Sequence, residues 1–209
     1  MKILIVTATA AEYSPRATRD HSVTHLTTGV GMVATAVHAT RALLRERYDL
    51  ALNVGVCGSF RTSMPAGTVV HIVADQMPEL GAQDGESFLP IQQLGLLGPN
   101  DLPYKVGLLV NSAPPAIPAL IELPAVTGIT VNTVHGDPAA IERVVKRVDP
   151  DVETMEGAAF VYACLLQGIP FAQVRAVSNI VERRNRAAWK LPEAIAALGI
   201  AVGRIIDQA

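Results

Sequence analysis

The sequence predicts an α/β protein, a single domain over residues 1–209 with a central mixed, mostly parallel sheet flanked by helices. Short β-branched runs alternate with amphipathic stretches along the chain, which is the pattern of strands joined by helical crossovers. A length of 209 residues suits one domain with a substantial core. Half of the residues are hydrophobic but only 4% are aromatic, so aliphatic side chains fill the interior, as they do between helices and a parallel sheet.

The first third of the chain alternates predicted strands with one long helix. β-branched and apolar runs predict strands at residues 3–7, 23–28, 50–54 and 68–74. Residues 31–47 predict an amphipathic helix that carries Val33, Val37 and Leu44 near one face. The strand at 50–54 is buried by its composition, and we expect it to end at Gly55.

The remainder of the chain begins with an irregular segment and then returns to alternation. Residues 75–102 are rich in Gly, Pro and Gln and predict a long excursion of the kind that forms lids or interfaces. Further strands are predicted at residues 104–110, 128–132 and 171–177, with a proline-broken connection after the first. Asp137 and Pro138 begin a predicted helix that runs to Lys146. Two more helices are predicted at residues 156–166, stopped by Gly168, and at residues 191–206.

Composition argues against several functional classes. A net charge of −2 gives no electrostatic footprint for nucleic acid. No apolar run reaches membrane-spanning length, and the apolar run at the N-terminus is too short for a signal peptide. Cys57 and Cys164 lie in apolar surroundings, which favours free thiols and a reducing cytoplasm over a disulfide. No zinc-type spacing is present, so we expect no metal.

Glycine-rich turns follow two of the predicted strands. Gly29 and Gly31 stand between a strand and a helix, where backbone N–H groups can approach an oxygen-rich ligand. Residues 53–59 form a second such turn, with Gly55 and Val56 predicted to face the ligand. Ordinary tight turns are the alternative at both places. A nicotinamide cofactor is not expected, because Ala34 replaces the third glycine of the dinucleotide fingerprint.

Three charged residues carry the candidate chemistry. Glu12 follows the first strand, Glu156 stands at the mouth of a helix, and Arg175 lies inside an apolar strand. Two carboxylates facing a sugar suit cleavage of a bond that builds positive charge on the ring, because one can activate water and the other can stabilise that charge. The alternatives are a surface glutamate, a helix-terminal carboxylate and a structural ion pair. The histidines form no ligand set and are interpreted as surface or core residues: His21, His25, His38, His71 and His135.

The order of these motifs resembles the methylthioadenosine/S-adenosylhomocysteine nucleosidase branch of the purine nucleoside phosphorylase superfamily, and within it the futalosine hydrolase family. The resemblance covers most of the chain. It is carried by residues 1–9 with Glu12, Gly29-Val30-Gly31, Asn53-Val54-Gly55-Val56-Cys57-Gly58, Met155-Glu156-Gly157-Ala158-Ala159 and Arg175-Ala176-Val177-Ser178-Asn179.

This resemblance implies a role for each matching residue. Glu12 would activate water, Met155 and Glu156 would contact the ribose, and Arg175 would organise the water and carboxylates. Asn179 would face the purine. The resemblance also implies a small-molecule nucleoside substrate, no cofactor, and a homodimer or larger homo-oligomer.

Asn179 departs from the adenine-cleaving members of the branch, which have an aspartic acid there that protonates N7 of the leaving base. An asparagine cannot act as an acid, but its amide can donate two hydrogen bonds. Hypoxanthine offers two neighbouring acceptors, N7 and O6, whereas adenine presents an amino donor beside N7. The amide therefore favours a 6-oxopurine, and hypoxanthine is the base of futalosine.

Two other functions stay open at this point. A phosphorylase would need a phosphate site, typically with arginines on the glycine-rich turns, and neither turn contains one. A non-enzymatic storage-type protein is the second alternative. For the far end of a futalosine-type substrate, which is a benzoate, the candidates are Arg183, Arg184, Arg186 and Trp189, the densest basic cluster in the chain.

Overall fold

A computed structural model describes residues 1–14 and 21–209. The strands are β1 Lys2–Thr7, β2 Ser22–Thr27, β3 Leu50–Ser59, β4 Val69–Gln76, β5 Gly81–Asp84, β6 Ser87–Pro90, β7 Leu109–Val110, β8 Ala125–Thr130, β9 Val152–Thr154 and β10 Phe171–Ile180. The α-helices are α1 Met32–Arg45, α2 Pro118–Ile121, α3 Pro138–Val148, α4 Gly157–Gln167 and α5 Leu191–Asp207, with a 3₁₀ helix at Arg186–Ala188.

Eight strands form one sheet in the order β10-β4-β8-β9-β3-β1-β2, with β7 paired on β4. Strand β10 also pairs with β3, so five strands close into a ring from which β1 and β2 extend. The pairs β1–β2, β1–β3, β3–β10, β4–β8 and β8–β9 are parallel, and β4–β10, β3–β9 and β4–β7 are antiparallel. The predicted fold class, a mixed and mostly parallel sheet flanked by helices, is confirmed.

Two apolar layers hold helices against the sheet. On one side α5 places Leu198 and Val202 against the side chains of β3 and β10, and all of these are fully buried. On the other side α4 contributes Phe160 and Cys164 to a second cluster with β1 and α1. Each fully buried Leu, Val or Phe stabilises the folded state by roughly 1.5–3 kcal/mol. The sheet is therefore fixed from both faces.

Strand β3 does not end at Gly55, as the sequence led us to expect, but runs on to Ser59. The reason is its pairing with β10, where Gly55 stands opposite Arg175 and Gly58 opposite Asn179. The glycines there are not turn residues. They leave room for side chains that cross the strand, which is the usual meaning of glycine inside a strand.

Residues 75–110 also differ from expectation. The segment predicted to be irregular contains the hairpin β5–β6. Only Leu109–Val110 of the strand expected at residues 104–110 is a strand, paired antiparallel with β4.

The start of helix α3 agrees with the prediction, because Asp137 Oδ1 accepts a hydrogen bond of 2.9 Å from the Ala140 N–H.

Helix α1 turns three of its apolar residues away from the core. Val33, Val37 and Leu44 are 77%, 59% and 67% exposed, whereas Thr35, Ala39 and Leu43 are buried. The three exposed side chains leave an apolar surface on the outer face of the helix. None of the helices in the described residues is long and apolar enough to cross a membrane.

Candidate active site

Three elements bring the candidate residues to one edge of the sheet. Glu12 follows β1, Glu156 follows β9, and Asn179 lies near the end of β10. These three side chains line a cavity of about 500 Å³. Strands β1 and β10 both run parallel to β3, and the carboxyl ends of such strands are where α/β sheets bind ligands, whereas β9 runs antiparallel to β3. The cavity wall also includes Ala8, Val30, Val56, Cys57, Gly58, Asn132, Thr133, Val134, Glu153, Met155, Ser178, Arg184 and Trp189.

Glu12 and Arg175 converge on Gly55. A Cβ atom placed on Gly55 would lie 2.2 Å from Arg175 Nη1 and 2.8 Å from Glu12 Oε1. Both distances are shorter than real carbon contacts, so only glycine permits this arrangement. The Thr9 N–H donates a hydrogen bond of 2.9 Å to Glu12 Oε2, which fixes the carboxylate at the end of β1.

Arg175 is completely buried and has few partners. Its Nη2 donates a short hydrogen bond to Asn53 Oδ1, and its Nη1 lies 3.9 Å from Glu156 Oε2. Its Nε and Nη1 make no hydrogen bond with the residues that the structure describes. A buried guanidinium requires an anionic neighbour, and Glu156 supplies it. Arg175 itself does not line the cavity; it lies behind Gly55, and its unpartnered Nη1 donors suit a water molecule or a substrate oxygen.

Gly31 holds Glu156 from across the cleft. The Gly31 N–H donates a hydrogen bond of 3.0 Å to Glu156 Oε1. Gly29 and Gly31 have φ values of +91° and +96°, which other residues rarely adopt. The turn that was predicted to offer N–H groups to a ligand thus offers the Gly31 N–H to a protein carboxylate.

Glu156 does not cap the helix that it precedes. Threonine hydroxyls cap α4 instead, since Thr154 Oγ1 accepts from the Gly157 N–H at 3.2 Å and Thr130 Oγ1 accepts from the Ala158 N–H at 2.7 Å. The Glu156 carboxylate therefore remains available at the cavity, although the residue is only 6% exposed.

Beneath these threonines lies a buried carboxylate that the sequence analysis did not single out. Asp75 is 1% exposed and accepts hydrogen bonds from Thr130 Oγ1 at 3.0 Å and Gln173 Nε2 at 2.9 Å. Burial raises the pKa of Asp75 to about 6, because water no longer solvates the ionised form. Asp75 supports the threonine cap and does not line the cavity described above.

Asn179 is oriented by its neighbours in sequence. Its Nδ2 donates a hydrogen bond of 2.9 Å to the Ile180 carbonyl, and its Oδ1 accepts one of 2.9 Å from Ser178 Oγ. Strand β10 shifts register between Val177 and Asn179, which sets Asn179 opposite Gly58. One amide N–H is therefore used within the protein and one remains for a ligand, whereas the sequence analysis expected both to reach the base.

The basic cluster after β10 divides into two groups. Arg184 and Trp189 line the cavity, and the Arg184 guanidinium carbon lies 5.4 Å from the centre of the Trp189 ring. Arg183 and Arg186 are exposed and line neither that cavity nor the smaller one beside it. Of the three arginines predicted as a group, Arg184 is the one that the fold brings to the site.

A glutamate–histidine pair was missed by the sequence analysis. Glu153, on β9, is 4% exposed and accepts hydrogen bonds from the backbone N–H of His135 and from His135 Nδ1, the latter at 2.7 Å. Both residues line a cavity of about 110 Å³ that shares Gly58, Asn179, Arg184 and Trp189 with the larger one. A carboxylate in a buried strand needs a partner, which is the sequence signal that could have found the pair.

Comparisons with known proteins show the family of the chain. Residues 13–207 match the family model of the phosphorylase superfamily. The chain is 37% identical over 166 residues to a futalosine hydrolase of Streptomyces coelicolor, covering 78% of this chain and 68% of that protein. It is 30% identical over 187 residues to a futalosine hydrolase of Thermus thermophilus, covering 88% of this chain and 81% of that protein.

Solved structures show the same fold. The 5′-methylthioadenosine/S-adenosylhomocysteine nucleosidase from Neisseria meningitidis, in complex with methylthio-immucillin-A, superposes with a TM-score of 0.80. The match covers 100% of this chain and 99% of that one, at 14% identity.

Proposed function

The chain belongs to the phosphorylase superfamily and, within it, to the futalosine hydrolase family, and we propose that it hydrolyses the N-glycosidic bond of futalosine. The products are hypoxanthine and dehypoxanthine futalosine, and the reaction belongs to menaquinone biosynthesis. The observation that supports this best is the presence of Asn179 in one cavity with Glu12 and Glu156. In that cavity two carboxylates can act on the ribosyl group. Residue 179 provides an amide there, in place of the carboxylic acid of the adenine-cleaving enzymes.

The proposed roles follow from the contacts of each side chain. Glu12 takes a proton from the attacking water, and the nearby Arg175 holds that water and the two carboxylates in position. Glu156, fixed by Gly31, accepts hydrogen bonds from the ribose hydroxyls and stabilises the positive charge that develops on the sugar. Met155 and Val56 supply apolar wall around the sugar. Asn179 donates its free N–H to the purine edge.

Product analysis tests this proposal. Purified protein is incubated with futalosine, inosine and methylthioadenosine, with and without phosphate, and the released base and sugar are identified. We expect hypoxanthine from futalosine at a rate independent of phosphate and of added chelator. Formation of a ribose 1-phosphate derivative would assign the protein to the phosphorylases. Release of adenine as the main reaction would assign it to the methylthioadenosine nucleosidases, and no turnover would favour a storage-type role.

We further infer a homodimer or larger homo-oligomer. The exposed apolar residues Val33, Val37 and Leu44 of α1 and Leu166 of α4 form a surface that a second copy would cover. The sequence had instead predicted residues 75–102 as the segment that could form an interface. Changing Val33 and Val37 together to glutamate should reduce the mass in solution to that of a monomer. A wild-type protein that is monomeric at micromolar concentration would contradict the inference.

We also propose a cytoplasmic location. Cys57 and Cys164 are free and buried, which suits a reducing compartment. Detection of the native protein in the cytoplasmic fraction of its host would test this.

A further inference from the structure

We propose that His135, oriented by Glu153, supplies the proton to the leaving purine that Asn179 cannot supply. This inference rests on the proposed function and adds a catalytic residue and a positioning residue to it. Departure of a neutral purine is faster than departure of its anion, so a nucleosidase benefits from a group that protonates the base as the glycosidic bond breaks.

The first argument is the shortage of donors at the purine edge. A 6-oxopurine presents two neighbouring acceptors, N7 and O6. Asn179 has one N–H committed to the Ile180 carbonyl at 2.9 Å, so its amide can serve only one of them. A second donor must come from a residue close to Asn179, and an unpaired acceptor in a buried site costs free energy.

The second argument is the geometry of the pair. Glu153 Oε2 lies 2.7 Å from His135 Nδ1, and both Glu153 oxygens also accept from the His135 backbone N–H, at 3.1 and 3.3 Å. This contact leaves Nε2 as the only ring nitrogen that can act elsewhere, and Nε2 makes no hydrogen bond to any residue described. A carboxylate that binds one ring nitrogen stabilises the imidazolium, as in other carboxylate–histidine pairs.

The third argument is location. Gly58 lies between Asn179 and the glutamate that orients His135, since a Cβ atom there would lie 3.4 Å from Asn179 Nδ2 and 3.5 Å from Glu153 Cγ. His135 lines the small cavity with both of them. Its ring also packs edge-on against Phe60, with 6.2 Å between ring centres. The pair is therefore held by packing as well as by hydrogen bonds.

The proton balance of the step is as follows. The bond between purine N9 and ribose C1′ breaks, and its electron pair moves onto the purine. The proton on His135 Nε2 passes to N7, while water forms a bond to C1′ and gives a proton to Glu12. Solvent then returns a proton to His135 and removes one from Glu12, so the net reaction is nucleoside plus water to base plus sugar.

Several charged groups surround His135. Glu153 faces it from β9 and contacts its ring. Glu182 and Arg184 line the same cavity from the loop after β10, and that loop packs on Gly136. Asp137, two residues along the chain, caps α3.

The test measures hypoxanthine release from futalosine by the wild type and by His135→Gln, Glu153→Gln and His38→Gln, across pH. We expect His135→Gln to lower kcat by about 10²–10⁴-fold, the range of general acid catalysis, with a much smaller change in KM. Its profile should lack the fall in rate at high pH. Glu153→Gln should move that fall to lower pH. His38, exposed on α1, is the matched control and should have wild-type kinetics.

The outcomes separate this inference from the proposed function. If the wild type releases hypoxanthine but His135→Gln keeps kcat within threefold, or keeps the fall at high pH, the inference is wrong and the function stands. A rise in KM with kcat unchanged would make His135 a base-binding residue and would also overturn the inference. If the wild type releases no hypoxanthine from futalosine, the proposed function fails and the inference fails with it.

Discussion

The backbone N–H of Gly31 donates a hydrogen bond of 3.0 Å to Oε1 of Glu156, a residue 125 positions later in the chain. This bond ties the turn after β2 to the entrance of α4 and fixes one oxygen of the carboxylate. The other oxygen, Oε2, lies 3.9 Å from Nη1 of the buried Arg175. Glu156 is thus fixed at one oxygen by a hydrogen bond and faces a guanidinium with the other, and a carboxylate placed in this way can stabilise positive charge on a ribosyl group.

Replacement of Glu156 by glutamine should preserve the fold and remove this charge. We expect kcat to fall by about 10²–10³-fold or more, the size seen for other preorganised electrostatic groups. Helix α4 should remain capped by its threonines, but the melting temperature should fall, because the buried Arg175 loses its anionic neighbour. Glu142→Gln, on the exposed face of α3, is the control and should have wild-type kinetics. Near-normal turnover by Glu156→Gln would show that the carboxylate is structural.

Glu12→Gln should be nearly inactive for a different reason, the loss of the group that accepts a proton from water. General base catalysis contributes about 10²–10⁴-fold. Its effect should appear in kcat, with a much smaller change in KM. A Glu12→Gln variant that keeps near-normal kcat would exclude Glu12 as the base.

Gly55→Ala tests the convergence of Glu12 and Arg175 directly. The added methyl group would lie 2.2 Å from Arg175 Nη1 and 2.8 Å from Glu12 Oε1, so both side chains must move. We expect a loss of at least about 10²-fold in kcat, the scale of a 1 Å misplacement at an active site. Gly199→Ala is the matched control, because a Cβ atom there has no neighbour within 4 Å. Equal kinetics for the two variants would mean that the side chains do not act where they converge.

The sequence analysis predicted the sheet and the carboxylates but misjudged how glycine is used. Gly55 and Gly58 were interpreted as turn residues, because glycine after a short apolar run usually ends a strand. In the structure they stay in β3 and make room for Arg175 and Asn179, a relation that exists only once β10 pairs with β3. His135 was missed for a similar reason, since its partner Glu153 is 18 residues away and on another element. Local pattern identifies elements well, whereas partners across the sheet are set by tertiary pairing.

Asp75 should make stability depend on pH with an unusual sign. Burial raises its pKa in the folded state to about 6, above the value of 3.8 for an exposed aspartate. As pH rises from 3.8 to about 6, the unfolded chain releases the Asp75 proton while the folded protein keeps it, so the free energy of unfolding falls. The full effect is on the order of 2–3 kcal/mol. Asp75→Asn mimics the protonated form and should remove this loss, as urea unfolding at pH 4.5 and pH 7 can show.

His71 should make the free energy of unfolding depend on pH in the direction opposite to that of Asp75. Burial lowers the pKa of His71 to about 4, and Nε2 has no hydrogen-bond partner among the described residues. Between pH 6.5 and 4 the unfolded chain binds a proton that the folded protein excludes, so stability falls as pH falls. His71→Gln should flatten this part of the curve, and Asp75→Asn should steepen it. Identical pH dependence in both variants and the wild type would contradict both assignments.

Arg184 should distinguish futalosine from inosine, which lacks the benzoate. Its guanidinium lies 5.4 Å from the Trp189 ring centre, and both residues line the cavity that holds the candidate catalytic groups. A guanidinium can bind a carboxylate through two hydrogen bonds, and the indole can cover an aromatic ring. Arg184→Ala should therefore lower kcat/KM for futalosine by about 10-fold or more, the effect of losing roughly 1.4 kcal/mol or more of binding, and leave kcat/KM for inosine nearly unchanged.

Arg183→Ala and Arg186→Ala are the controls, because those residues are exposed and line neither cavity. Equal losses on both nucleosides would make Arg184 a general support of the loop. A selective loss in either control variant would place the carboxylate site at that residue, while no selective loss in any of the three would direct the search to residues 75–102 or to a neighbouring subunit.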